Sequence, residues 1–551
     1  MTAGGRTGER APDRRRRDLA LDLVSPLPPV RTGIADYTVD LLPELEPLCD
    51  LRVVRVEGQE VAHEIVERWH PVPMERLGEG GRVPFYQMGN NLHHERILES
   101  ALERPGLLTL HDLFLHHLLV ERTLARGEIE PYREWLTFDH GLEGAAVAEP
   151  PRWGAYGTAC LFALPCHRRL AQSQRGILVH SQWARARLLE EMPDLAVRVV
   201  PMPMPLPPDV EPGRRAEAKQ RLGIPETAHV LGSFGFQTPI KRTDVVIAAM
   251  ARPELSSVHL LVVGAVAREL DIESLAREHG VADRVHAVGF LDRDALDAAM
   301  AAADLCVNLR YPTAGETSAS LLRLLAAGRP TLVSDYAQFT DLPRDCVAHV
   351  PVGEGEVEAI AATAGALLAN RDALAALGRR AREHVRREHD PGRAAALIVE
   401  ACDELARRPP GVARPALPGP PSALTWGVMG GALEVEGAAT PWPEGERRTL
   451  RLRVRNDGRT RWLAGTSGPG GVAFEVRLWG GDRAGGAAEP RDEMAGRPWP
   501  ALPVDLAPGE EATIELEVRR PLGTARLRIE PHVLGVAGAE ALGGGIWEAE
   551  L

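Results

Sequence analysis

Residues Arg310-Tyr-Pro-Thr-Ala-Gly-Glu-Thr-Ser-Ala-Ser-Leu-Leu-Arg-Leu-Leu-Ala-Ala-Gly-Arg-Pro-Thr-Leu-Val-Ser-Asp335 form the segment that decides the fold. The pattern predicts the end of a buried strand, a turn that carries Glu316, a short helix with Thr317 and Ser318 in its first turn, and a second buried strand. A helix entered in this way offers free backbone N–H groups and its positive dipole end to an anion. Because Glu316 stands beside that helix start, the segment predicts a site for a ligand with both hydroxyls and phosphates. Nucleotide-sugars have both.

Apolar strand-like runs alternate with helical patterns on both sides of this segment, which is typical of βαβ units and parallel sheets. One series lies within 19–200 and a second within 230–350. We therefore predict an α/β fold with two Rossmann-like, doubly wound domains, 18–205 and 206–408, that meet near the proline-dense 201–212. Ligands of such folds bind outside the carboxyl ends of the strands, so the cleft between the domains is the predicted site.

The two ends of the chain differ from this pattern. Residues 1–17, with four consecutive arginines, are interpreted as a disordered basic tail, and the proline-rich 409–423 as an extended linker. In 424–551, alternating segments such as 450–455 are separated by Gly/Pro/Asp turns, which predicts an all-β, immunoglobulin-like sandwich. The sequence leaves open whether the sandwich binds glycan, mediates assembly or only covers the rest of the chain.

Composition excludes several classes of protein. A net charge of -13 argues against nucleic acid as a partner, and 44% hydrophobic with 26% charged residues is ordinary for a soluble globular protein. No run approaches the roughly 20 apolar residues of a membrane span, although local basic patches leave peripheral contact with the inner face of a membrane open. Six cysteines without C-x-x-C spacing indicate reduced core residues and a cytoplasmic protein.

Three positions at predicted strand ends carry side chains suited to the ligand. Lys241 is one of only two lysines beside Lys219, and it follows a strand where a compact cation would neutralise a diphosphate leaving group. His111, followed by Asp112, ends another strand, where a histidine can hydrogen-bond sugar hydroxyls or phosphate. Gly33 begins a helix after the first strand and permits close approach of a ligand. Neither the histidines nor the acids form a pattern typical of a metal site.

Together these segments resemble the GT-B glycosyltransferases of the glycosyl-group-1, family 4 type over roughly 18–400. The resemblance rests on Gly33-Ile-Ala-Asp-Tyr37, His111-Asp112, Val179-His-Ser181, Lys241-Arg242, Gly289-Phe-Leu291 and the segment 310–335. It implies a hexosyltransferase-like enzyme that transfers a sugar with retention, without a metal or another cofactor, from a nucleotide-sugar to a glycan or lipid-linked acceptor. Surface polysaccharide or glycolipid synthesis is the expected pathway class.

The resemblance also implies roles for individual residues. Glu316, His111 and Lys241 are the implied catalytic residues: Glu316 binds the donor sugar, His111 contacts the transferred sugar, and Lys241 holds the diphosphate. The implied substrate-binding residues are Gly33, Asp36, Arg242, Thr317, Ser318 and Arg323, of which Arg242 and the amides of Thr317 and Ser318 contact phosphate.

The chain departs from the family pattern at three positions. When it is aligned on its Gly/Pro turn, the two glutamates usual in the family fall on Gly315 and Arg323, so that Glu316 is displaced by one residue. Arg323 replaces an acid that usually holds the ribose, and Phe236 stands where an arginine is usual. These departures leave the identity of the donor open.

Two alternative functions share the same fold. A non-catalytic scaffold could bind nucleotide or sugar and use the β-sandwich for interactions. A nucleotide-sugar epimerase would need acids placed to eliminate and re-add the nucleotide, and the sequence lacks such a set.

Overall fold

The structure is a computed structural model that describes residues 19–149, 160–208, 213–353, 355–416, 430–438, 441–458, 460–465, 471–480, 490–491, 499–520, 523–533, 537–538 and 546–550. The predicted basic tail and residues 417–423 of the predicted linker lie outside this range. Two parallel-sheet α/β domains are followed by two small antiparallel sheets, so the predicted fold class is confirmed.

The first domain is built on a parallel sheet with the strand order β3-β2-β1-β4-β5-β6-β7. Its central strands are buried along almost their whole length, as their continuous apolar runs predict. The strands are β1 (Ala20–Val24), β2 (Asp50–Arg55), β3 (Val72–Pro73), β4 (Val83–Met88), β5 (Leu107–Leu110), β6 (Gly176–Val179) and β7 (Val197–Val199). The helices are α1 (Gly33–Leu45), α2 (His63–Trp69), α3 (Glu95–Glu103), α4 (His116–Arg122), α5 (Ile129–Val147), α6 (Cys160–Ala163), α7 (Arg168–Ser173) and α8 (Gln182–Glu191).

The second domain repeats this architecture with the strand order β10-β9-β8-β11-β12-β13. The strands are β8 (His229–Phe234), β9 (Val258–Val263), β10 (Val285–Ala287), β11 (Leu305–Asn308), β12 (Thr331–Ser334) and β13 (Ala348–Val350). The helices are α9 (Arg214–Arg221), α10 (Thr243–Met250), α11 (Ile272–Glu278), α12 (Arg293–Ala302), α13 (Ala319–Ala326), α14 (Glu356–Ala369), α15 (Arg371–Glu388) and α16 (Pro391–Ala406).

Helix α16 returns to the first domain. Its buried residues Ile398, Cys402 and Leu405 share a hydrophobic core with Leu41 and Leu45 of α1. Helix α16 lies at the end of the predicted second domain, 206–408, but it packs on helix α1 of the first domain. It therefore connects the two domains.

The C-terminal part contains two antiparallel sheets. One has the order β14-β15-β18 and the other β17-β16-β19-β20, with β21 paired to β19. Their alternating strands bury one face each around Trp442 and Trp462, which supports the predicted sandwich. The strands are β14 (Gly431–Glu436), β15 (Arg447–Asn456), β16 (Val472–Gly480), β17 (Pro490–Arg491), β18 (Glu511–Arg519), β19 (Thr524–Val533), β20 (Ala537–Gly538) and β21 (Trp547–Glu550).

The structure bears on two features read from the sequence, namely membrane-spanning segments and the cysteines. None of the helices in the described ranges combines the length and the apolar character that crossing a membrane requires. All six cysteines are buried as free thiols, as their positions in apolar runs predict.

The described part of the linker runs along the first domain. The Gly411 N–H donates to the Ser173 carbonyl at 3.2 Å, the Arg414 N–H donates to Gln172 Oε1 at 2.7 Å, and the Ala416 N–H donates to the Phe138 carbonyl at 2.8 Å. A Cβ at position 411 would lie 2.0 Å from the Gln172 carbonyl oxygen, so this contact requires glycine. The described part of the linker, 409–416, contains no helix or strand, and its hydrogen bonds attach it to helices α5 and α7.

We expect two truncations to differ in stability although both remove the β-sandwich. A chain that ends at Pro410 loses the three linker hydrogen bonds, whereas one that ends at Ala416 keeps them. The shorter chain should unfold with a free energy lower by about 1 to 3 kcal/mol, from about 1 kcal/mol per bond. Urea unfolding of the two chains measures this difference, and equal midpoints would mean that the linker contacts contribute nothing.

Candidate functional site

Loops from the two domains meet at the carboxyl ends of their strands. The Phe114 N–H of the first domain donates to the Ala314 carbonyl of the second at 2.9 Å. Gly315 has a φ of 77°, and a Cβ there would lie 2.6 Å from Leu113 Cβ and 3.0 Å from the Trp183 ring. Only glycine allows this close approach, which brings the segment predicted to bind the ligand against the loop that follows β5.

The carboxylate of Glu316 is held from two sides. Its Oε1 lies 3.0 Å from Arg310 Nε, and its Oε2 accepts a hydrogen bond from Thr313 Oγ1 at 3.0 Å. Gln338 Nε2 donates to the Glu316 carbonyl at 2.8 Å and fixes the backbone of the turn. Arg310 was not among the predicted site residues, although it stands at the start of the quoted segment, six positions before Glu316.

Helix α13 begins at Ala319, two residues after Thr317, which the sequence predicted in its first turn. Ser318 is its N-cap: the hydroxyl accepts from the Leu321 N–H at 3.2 Å and donates to Asn308 Oδ1 at 3.2 Å. Thr317 is half-buried directly before the cap. The first amide groups of a helix have no acceptor within it, so this end of α13 can receive an anion.

The ammonium of Lys241 lies beside the same helix start. Its Nζ donates to the Phe234 carbonyl at 2.7 Å, and a Cβ at Gly235 would lie 2.6 Å from Nζ and 3.7 Å from Ser320 Cβ. Burial, and then the nearby Arg310 guanidinium, lower the pKa of Lys241 to about 7. The structure therefore brings the predicted cation together with the predicted anion-binding helix.

Arg242 is paired elsewhere. Its Nη2 lies 2.7 Å from Oε2 of Glu356, whose side chain is 1% exposed, and its Nε also donates to this carboxylate at 3.3 Å. The guanidinium thus completes an ion pair within the second domain, where sequence reasoning expected it on the diphosphate. Phe236, at the position of a usual arginine, is 58% exposed and adds no charge.

His111 is enclosed within the first domain. Its Nε2 lies 2.9 Å from Gln87 Oε1, its Nδ1 lies 3.2 Å from His180 Nε2, and Tyr37 packs edge-on at 4.6 Å between ring centroids. His180 Nδ1 donates to the Val200 carbonyl, so His180 Nε2 must accept from His111 Nδ1. His111 Nε2 then needs a donor, which the Gln87 amide supplies after a half-turn. That rotation also satisfies Gln87 Nε2, which is otherwise buried without a partner.

Burial also sets the charge of His111, since it lowers the pKa of the ring well below its usual value. The ring is therefore neutral and its two nitrogens are both engaged, which does not support the predicted contact with a transferred sugar. The next residue, Asp112, was not among the predicted site residues. Burial, and then the Glu316 carboxylate across the cleft, raise the pKa of Asp112 to about 7.

The remaining predicted residues lie on facing helices. Gly33 is exposed at the start of α1, and a Cβ there would meet no atom within 4 Å, which leaves room for a ligand. Asp36 is exposed in the first turn of α1. Burial raises the pKa of Asp40, also on α1, and Arg293 and Arg323 of the second domain partly oppose this shift. The side chain of Arg323 is therefore close enough to helix α1 to act on the Asp40 carboxyl.

Potential metal ligands occur together once among the residues that the structure describes. His532 Nε2 lies 2.9 Å from Glu475 Oε2 and 3.1 Å from Glu530 Oε1, on the paired strands β16 and β19. The same carboxylates also pair with Arg477 and Arg528. This group belongs to the C-terminal sheets and not to the cleft.

Known proteins resemble this chain in the sequence of its second domain and in its fold. Residues 214–384 match the sequence family described as glycosyl transferases group 1. The D-inositol 3-phosphate glycosyltransferase of Thermobispora bispora is 32% identical over 216 residues, which cover 36% of this chain and 49% of that protein. Its counterpart in Geodermatophilus obscurus is 28% identical over 242 residues, which cover 41% and 52%. The chain therefore spans about half the length of these curated relatives.

Solved structures extend the likeness to both α/β domains. A sucrose-phosphate synthase from Thermosynechococcus elongatus superposes with a TM-score of 0.50 at 17% identity and covers 70% of this chain and 99% of its own. A glycosyltransferase from Rickettsia africae has a TM-score of 0.50 at 10% identity, with 71% and 99% covered. At these identities the likeness concerns the fold. The predicted resemblance is confirmed: the chain has the GT-B fold, and its second α/β domain matches the group 1 glycosyltransferases.

Proposed function

We propose that this chain is a retaining glycosyltransferase that moves a sugar from a nucleotide-sugar donor to a hydroxyl group of a glycan or lipid-linked acceptor. One observation carries the proposal: Lys241 Nζ, the start of α13 and the Glu316 carboxylate converge on one edge of the cleft between the domains. In this proposal the donor diphosphate binds to the ammonium and the helix start, and the sugar binds beside Glu316. The family match of the second domain supports the same chemistry.

The proposed reaction relies on charge and position. The bond between the sugar C1 and the donor phosphate oxygen breaks while C1 forms a bond with the acceptor oxygen on the same face. The acceptor proton passes to the departing phosphate oxygen, so no protein nucleophile is needed. Lys241 and the positive end of α13 stabilise the developing negative charge of the nucleoside diphosphate, and Glu316 accepts hydrogen bonds from sugar hydroxyls.

The same groups support catalysis without a metal. The neutralisation of the diphosphate that a divalent cation often provides would come from Lys241 and the α13 dipole. We propose that the enzyme acts in the cytoplasm, with peripheral contact at the inner face of a membrane where a surface polysaccharide or glycolipid is assembled.

A panel of donors and acceptors tests this proposal. UDP-, GDP-, ADP- and TDP-sugars are screened for a rise in melting temperature and for slow hydrolysis or transfer, and NMR identifies the anomer formed. The acceptors come in pairs with and without phosphate: glucose and glucose 6-phosphate, fructose and fructose 6-phosphate, and inositol and D-inositol 3-phosphate. We expect at least one donor to react with retention. Binding without turnover would favour the scaffold, and interconversion of free nucleotide-sugars would favour the epimerase.

A further inference from the structure

The cleft face of the first domain carries little positive charge. Its central strands β1, β4, β5 and β6 are followed by the segments 25–32, 89–94, 111–117 and 180–182, which together contain one lysine or arginine, Arg31. The Arg31 guanidinium lies 5.8 Å from the ring of Phe290, an exposed residue of the second domain. The acid in these segments, Asp112, stands at their centre, directly after β5.

Contacts between the domains fix the position of Asp112. The adjoining Leu113 touches Gly315, and Phe114 donates its N–H to the Ala314 carbonyl, so that Asp112 lies opposite Glu316. The charged groups that face Asp112 from the second domain are Glu316 and Arg310. Because Arg310 is already paired with Glu316, Asp112 has no cation of its own among these neighbours.

Neutral polar groups of the first domain complete this corner of the cleft. Asn90 Nδ2 lies 3.4 Å from Nδ1 of His117, and the His117 ring packs edge-on against Phe162 at 5.2 Å between ring centroids. Burial lowers the pKa of His117, so the ring is neutral at neutral pH. A carboxylate, an amide and a neutral imidazole beside an apolar ring are suited to hydroxyl groups on a carbon skeleton.

We infer that Asp112, Asn90 and His117 form the acceptor subsite, and that this subsite takes an uncharged polyhydroxylated compound and rejects its phosphorylated form. The inference rests on the proposed function and deepens it. Asp112 accepts a hydrogen bond from an acceptor hydroxyl and orients its oxygen towards the donor. Above the pKa of Asp112, which is about 7, a phosphate at this place would face the carboxylates of Asp112 and Glu316, since Lys241 serves the donor diphosphate and Arg310 is paired with Glu316.

Direct binding tests the inference whether or not a donor is turned over. Saturation-transfer NMR on the full chain with UDP present compares glucose with glucose 6-phosphate and inositol with D-inositol 3-phosphate. The spectra are recorded at about pH 8, where Asp112, with its pKa of about 7, is mostly ionised. We expect the neutral member of at least one pair to bind about tenfold or more tightly than its phosphorylated twin, as like-charge repulsion predicts. Tighter binding of the phosphorylated members, or no binding of either neutral member at 50 mM, would overturn the inference.

Variants show whether the preference for the neutral acceptor comes from Asp112 itself or from the net charge of this side of the first domain. Asp112→Asn should shift the ratio of the two affinities towards one, and Asp112→Glu, which keeps the charge, should retain the preference. Glu60→Gln removes an exposed acid from the same edge of the first sheet and serves as the matched control, with no change of the ratio expected. An unchanged ratio in a folded Asp112→Asn variant would also overturn the inference. A failure of the proposed function is recognised separately, because no nucleotide-sugar of the donor panel would then be hydrolysed or transferred.

Discussion

Replacing Glu316 by glutamine is expected to lower kcat for sugar transfer about 100-fold, which corresponds to about 2.7 kcal/mol of transition-state stabilisation. The carboxylate is positioned by Arg310 and Thr313 at the point where the two domains meet. Glutamine keeps the size of the side chain and removes its charge, so the loss should fall on kcat more than on the KM for the donor. Steady-state kinetics with the donor found in the panel measures both constants.

Two further variants show whether the effect belongs to the charge of Glu316. Glu358→Gln changes an exposed glutamate of the same domain that pairs with Arg252, and it should leave kcat within about twofold because surface ion pairs contribute little. Arg310→Met removes the partner of Glu316, and combining it with Glu316→Gln should cost less than the sum of the two changes. Wild-type turnover in Glu316→Gln would remove Glu316 from the mechanism.

The fold and half of the candidate site follow from local sequence signals. Continuous apolar runs predict the buried parallel strands, and period-two alternation predicts the C-terminal sheets, because burial on one or both faces dictates these patterns. Lys241 and the start of α13 come together as predicted because both follow neighbouring parallel strands, β8 and β11, whose carboxyl ends share one edge of the sheet. Turn and capping residues are local, so the start of α13 is predicted to within two residues: Ser318, expected in the first turn, is the N-cap.

The predicted roles of His111 and Arg242 depend on partners that are distant in the sequence. His111 and Asp112 both follow β5, and successive residues of an extended chain point to opposite sides. The sequence does not say which of the two faces inward, and the pocket that encloses His111 comes from Tyr37, Gln87 and His180 on three other elements.

The pairing of Arg242 is equally hidden from the sequence, since its partner Glu356 is 114 residues away at the start of α14. Whether a cation is available to a ligand depends on such a pairing, and no local pattern reveals it.

Lys241 and Arg242, although adjacent, are expected to respond to substitution in opposite ways. Lys241→Met should raise the KM for the donor about 100-fold, since it removes the cation beside the diphosphate. The same variant should have an unchanged or higher melting temperature, because a buried ammonium is costly to desolvate. Arg242→Met should lower the free energy of unfolding by about 3 to 5 kcal/mol, because it leaves the buried Glu356 carboxylate without its partner. Melting curves and donor kinetics of the two variants separate binding from stability.

The stability effect of Arg242 has its own control. Arg242→Met combined with Glu356→Leu removes both charges, so most of the lost stability should return if the unpaired carboxylate is the cause. A large rise in the donor KM with an unchanged melting temperature in Arg242→Met would instead restore the diphosphate contact that the sequence suggested.

The pKa of Lys241 predicts a pH dependence of donor affinity that a purely structural lysine would not produce. With a pKa of about 7, the ammonium is fully charged below pH 6 and loses its proton as the pH rises through 7. Because the diphosphate binds the charged form, donor affinity should be highest below pH 7 and fall above it, while a bound donor should raise the pKa of Lys241. Asp112 on the facing side of the cleft also has a pKa of about 7, so the Lys241→Met variant is needed to assign the change to the lysine. Donor affinity of Lys241→Met should therefore be weak and independent of pH between 6 and 8, and a pH dependence retained in this variant would assign the titration to another group.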